Sequence, residues 1–159
     1  SSKSKKSMIK YLDDLCFQLC QLVQLPEKAL ITWSNNISEY VVDSGEILGY
    51  SVRLVTVDLI KKIASSYHDG PQFINHAINK MLKLSENLNS KGDPCWWKLF
   101  EASLYIIGNL ASNSINIFNF NKSIYQTSNN VSNLSLIEFD VFYEHYLKPS
   151  LEQNDFPFL

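Results

Sequence analysis

Asp93-Pro94-Cys95-Trp96-Trp97-Lys98-Leu99-Phe100-Glu101-Ala102 reads as the opening of a helix. An aspartate side chain accepts hydrogen bonds from the free N–H groups of a first turn, and a proline fits there because no intrahelical donor is lost. Trp97, Phe100, Leu104, Ile107 and Ala111 then recur near the 3.6-residue period, which predicts a helix over 94–112 with that stripe facing inward. Just upstream, Lys91-Gly92 closes a helix expected over 71–90, opened by Pro71 and carrying Ile74, Ala77, Ile78, Met81 and Leu88 on one side. Before it, Ser51 caps a helix over 51–67, with Val52, Val55, Leu59, Ile63 and Tyr67 as its predicted core face. His68-Asp69-Gly70 breaks the period between the two.

The same reading extends outward. Leu12, Leu15, Cys16, Leu19 and Val23 give a helix over about 8–25, its stripe widened by Phe17, Cys20 and Leu22. Pro26 opens a short helix over about 26–33. Ser1 to Ser7 is basic and is read as a flexible terminus, 1–7, ahead of the folded segment 8–159. An Asn/Ser-rich linker is expected over about 113–133, anchored by Ile115, Phe118 and Phe120. The capping box Ser135-x-x-Glu138 predicts a last helix over 135–147, with Pro149 just past its end. The tail Asn154 to Leu159 stops on apolar residues, from which the chain is expected to continue in the intact protein.

The fold class expected is therefore all-α. The starts at Ser51 and Asp93 are separated by a distance in the roughly 40–47-residue range of HEAT and armadillo units. That spacing favours an α-solenoid fragment of stacked antiparallel hairpins, while a four-helix bundle would use similar helices.

Composition narrows the function classes. With 45% hydrophobic and 19% charged residues the chain is ordinary for a folded protein. A net charge of −2 and a single arginine, Arg53, argue against direct nucleic-acid binding. No stretch reaches the roughly 18 apolar residues of a membrane span, and no secretory signal precedes the first helix, so a cytosolic or nuclear location is expected. The Asn-x-Ser sequons at Asn36, Asn121, Asn130 and Asn133 are then chance products of composition. Cys16 and Cys20, four apart, have helical metal-ligand spacing but no nearby His or second Cys pair, so they are read as core thiols. His68, His76 and His145 lie beside no nucleophile or paired carboxylate, and phosphate-loop and HExxH motifs are absent. No catalytic residue, cofactor or metal is assigned, and the chain is read as a non-enzyme.

Gly49-Tyr50-Ser51-Val52-Arg53-Leu54, continuing through Val57-Asp58-Leu59-Ile60, resembles the first helix of a HEAT repeat in importin-9-type karyopherins of the importin-β family. So does Asp93 to Ala102, whose Trp-Trp-Lys-x-x-Glu-Ala pattern is its most specific element. Trp33-x-x-Asn36-x-x-Glu39-Tyr40-Val41 and the terminal Phe156-Pro157-Phe158-Leu159 resemble that subfamily too, most closely its yeast branch.

The resemblance implies a central segment of a nuclear import receptor, several times longer than this chain, that shuttles between cytoplasm and nucleus. Its partners would be the Ran GTPase, acting on the intact receptor, and basic nuclear cargo such as histones. The TATA-binding protein and nucleoporins are further implied partners. Glu39, Asp43 and Glu46 are the residues best suited to attract a basic cargo, although the acidic insertion of the subfamily is thin here. Arg53, Asp58, Trp96, Trp97 and Glu101 are assigned to packing and polar contacts between repeats. Two alternatives stand beside the receptor: a HEAT-repeat structural adaptor of a cytosolic complex, and a helical regulatory domain of a larger enzyme.

Overall fold

Ile74, Ala77, Ile78 and Met81 have no exposed surface, and the helix that carries them is the one around which the rest is arranged. The computed structural model describes residues 2–36, 38, 52–112, 118–119 and 137–152, and apart from turns and one two-residue strand pairing these are helical. We number the helices α1 (Ser2–Leu22), α2 (Glu27–Asn35), α3 (Val52–Ser66), α4 (Gly70–Ser90) and α5 (Trp96–Ser112). The last described stretch runs through α6 (Phe139–Phe142), a π-helical segment (Tyr143–Leu147) and α7 (Lys148–Glu152).

Among the described residues, α4 packs most extensively against α1 and α5, and each of α1, α3, α4 and α5 touches the other three. One apolar core results. It takes Cys16 and Cys20 from α1 and Val23 just past its end, Val57, Ile60 and Ala64 from α3, and Leu99, Ala102, Ile106 and Leu110 from α5. Phe142 closes it from the last helical run.

Two glycines make the turns around α4. At Gly70 an added Cβ would stand 2.2 Å from the Ile63 carbonyl oxygen and 3.1 Å from the Ala64 Cα, so only glycine lets α4 start against the end of α3. Gly70→Ala must push backbone apart, and we expect a loss of about 1–3 kcal/mol in unfolding free energy by chemical denaturation. At the other end Gly92 has φ 73°, and the chain leaves α4 through a Schellman motif. The Asp93 N–H donates to the Leu88 carbonyl at 3.0 Å, and the Gly92 N–H donates to that of Asn89 at 2.9 Å. Asp93 caps the turn that opens α5, as expected: its Oδ1 accepts from the Cys95 N–H at 2.8 Å, just ahead of the first regular turn at Trp96. Ser85 ties the two helices across that turn, donating to the Trp96 carbonyl at 3.0 Å.

The inward faces differ from those read from periodicity. On α3 the predicted stripe is largely outside: Val52 is 67%, Val55 53% and Leu59 45% exposed, and Tyr67 is exposed just past the helix end, while Thr56, Val57, Ile60 and Ala64 are buried. Both arcs of α3 are apolar, and the buried one carries Ala64, whose Cα the start of α4 approaches closely at Gly70. On α5 the buried arc is centred on Leu99, Ala102, Ser103, Ile106 and Leu110; Phe100 and Ile107 belong to it, Trp97 and Leu104 are half-buried, and Ala111 is exposed. A hydroxyl is tolerated at its centre because Ser103 donates to the Leu99 carbonyl one turn back, at 2.8 Å. On α1, Leu15 is outside and Cys20 inside.

Three boundaries also differ. α1 begins at Ser2 rather than near Met8, with no glycine or proline to stop it earlier. Inside the expected 113–133 linker, Phe118–Asn119 pairs in parallel with Ile137–Glu138, so Glu138 lies in a strand; Ser135, its expected capping-box partner, lies outside the described residues. Helix also continues past Pro149 to Glu152. Proline lacks an N–H and crowds the carbonyl four residues before it, here that of His145. The π-helical turn in front, where the Lys148 N–H reaches back to the Tyr143 carbonyl, widens the helix where that clash would fall.

Candidate functional site

Arg53 and Glu101, one on each of two helices 48 residues apart in sequence, pair through Nη2 and Oε1. The guanidinium also lies 4.0 Å from the centre of the Tyr105 ring, one turn beyond Glu101 on α5. Arginine suits this position because a flat cation can pair at its edge and stack on its face at once. The side chains are 13% and 28% exposed, so the pair is less screened than a surface one and draws α3 onto α5. The second carboxylate oxygen, Glu101 Oε2, is buried and has no hydrogen-bond partner among the described residues.

A second polar junction joins α1 to α4. The Asp13 carboxylate meets His76 Nδ1 through one oxygen and accepts from Lys80 Nζ at 2.8 Å through the other. His76 and Lys80 stand one turn apart on α4, so a single carboxylate spans both. Lys80 also lies 5.5 Å from the Phe17 ring of α1. Burial opposes the charge on Asp13, but the hydrogen bonds from Lys80 and His76 outweigh it and hold the carboxyl below its ordinary value.

A depressed carboxyl stabilises the fold above its unfolded value, 3.8, and loses that contribution as pH falls through the folded value. Wild type should therefore lose stability on acidification below pH 3.8. Asp13→Asn should be less stable at neutral pH by on the order of 1 kcal/mol, a gap that closes in acid. Denaturation midpoints across pH measure both.

The third junction is aromatic. Phe142 and Tyr146 stand 5.8 Å apart between ring centres, Tyr146 is 6.3 Å from Phe100, and Phe100 is 6.2 Å from Trp96. Burial, then a hydrogen bond and the charge of Glu86, push the Tyr146 hydroxyl up to about 12, so it stays protonated and donates to that carboxylate of α4. The π-helical segment is thus anchored to α4 and α5 together.

Of the residues singled out in the sequence, Arg53 and Glu101 come together, and Trp96 enters the aromatic junction. Trp97 is half-buried beside it. Asp58, expected in a contact between repeats, instead pairs with Lys61 of its own helix at 3.3 Å on an exposed face, where such a pair contributes little. Glu39, Asp43 and Glu46 lie outside the described residues. The Asp13 junction and Tyr105 were missed. Their signal was a His and a Lys four apart on α4, and an aromatic one turn after Glu101 on α5, which has meaning only once the facing helix is known.

Chemically the arrangement holds helices together. Burial pushes the Cys16 thiol up to about 11, with the Asp13 charge adding to it, and pushes that of Cys20 higher still, so neither is a nucleophile near neutral pH. His68 and His145 are exposed. Among the described residues no three His, Cys, Asp or Glu side chains gather to hold a metal ion, and no helix is long and apolar enough to cross a membrane. No protein-family model matches the chain, and no solved structure matches it.

Proposed function

We propose that the chain forms part of a helical-repeat scaffold in a nuclear import receptor of the importin-β family. The observation that carries this reading is the pairing of Arg53 with Glu101. These residues come from the two segments that resemble the subfamily, Gly49 to Ile60 and Asp93 to Ala102, and they join α3 to α5. A stack of repeats needs such a contact between the corresponding helices of successive units. Buried positions support it: Val57, Ile60 and Ala64 on α3 recur as Leu99, Ala102 and Ile106 on α5, each 42 residues later, the separation of Ser51 and Asp93.

In this reading α3 and α4 form one hairpin, α5 begins the next, and neighbouring hairpins flex against each other as cargo is gripped or released. Glu39, Asp43 and Glu46 raise the encounter rate with basic cargo, of which histones and the TATA-binding protein are the examples the resemblance implies. Ran-GTP acts on the intact receptor, which shuttles between cytoplasm and nucleus and passes nucleoporins.

The test uses the intact receptor, with purified Ran-GTP and a core histone at physiological salt. Binding of each, with Ran-GTP lowering histone affinity, is the expected result. Failure to bind either overturns the transport reading.

One observation favours a second reading. Each of α1, α3, α4 and α5 touches the other three, as in a closed bundle, which suits a structural adaptor or a helical regulatory domain. Affinity capture recovering a stable complex indifferent to Ran-GTP would favour that alternative.

A further inference from the structure

We draw no further inference here: the strongest candidate, the exposed apolar stripe of Val52, Val55 and Leu59 along α3, is an unpartnered helix face, and nothing in the structure shows what covers it.

Discussion

Ile78→Ala should lower the unfolding free energy by about 2–5 kcal/mol, the range for truncating a buried isoleucine where the surroundings close only partly around the cavity. Ile78 has no exposed surface, and α4 has α1 packed along it on one side and α5 on another. Three helices would have to move together to fill the space, so the upper half of the range is the better estimate. In a domain of this size that corresponds to a fall in Tm of roughly 4–20 °C. In urea the midpoint should drop with the slope unchanged, because native burial elsewhere is preserved. Val55→Ala is the matched control: it removes methyl groups from an exposed position of α3 and should stay within about 0.5 kcal/mol of wild type. Equal losses in the two variants would mean that α3 buries the face carrying Val55, and that α4 is not central.

That control also marks where the sequence was readable. The existence of α3, α4 and α5 rests on residues that act locally: a serine before α3, a proline in the first turn of α4, a Lys-Gly pair at its end. Such signals do not depend on the rest of the fold. The α4 face was legible too, because Ile74, Ala77, Ile78 and Met81 stand together with polar residues around most of the rest of the helix.

On α3 the period alone could not decide. Apolar residues occupy both arcs, and the period does not show which one α4 meets; Ala64 lies on the buried arc, beside the close approach at Gly70.

The polar junctions followed the same logic. Arg53 and Glu101 could each be assigned to contacts between helices, because buried charges require partners. That they choose each other depends on the rotation of α3 relative to α5, which no local signal fixes. Asp13 was invisible for the complementary reason, since its two partners sit on α4, 63 and 67 residues away.

Arg53→Ala should cost about 3 kcal/mol, the lower end for removing one member of a buried ion pair, because Glu101 retains some contact with water. The loss comes mainly from what remains: a carboxylate with one oxygen already buried and unpartnered, now with neither oxygen paired. Glu101→Gln should cost less, since its amide oxygen still accepts from the guanidinium. Replacing both residues by leucine removes the two desolvation penalties together and should recover most of the stability lost in Arg53→Ala. In a cycle of Arg53→Leu, Glu101→Leu and the double variant, the interaction energy should therefore be clearly non-zero, within the roughly 0.5–3 kcal/mol found for residues in contact. Raising the salt should erode it only weakly, because a largely buried pair is poorly screened, whereas the exposed Asp58–Lys61 pair should lose what little it contributes. If the two single losses simply add in the double variant, Arg53 and Glu101 do not meet in solution. α3 and α5 are then held by apolar packing alone, and the link between the two segments of resemblance disappears with the pair.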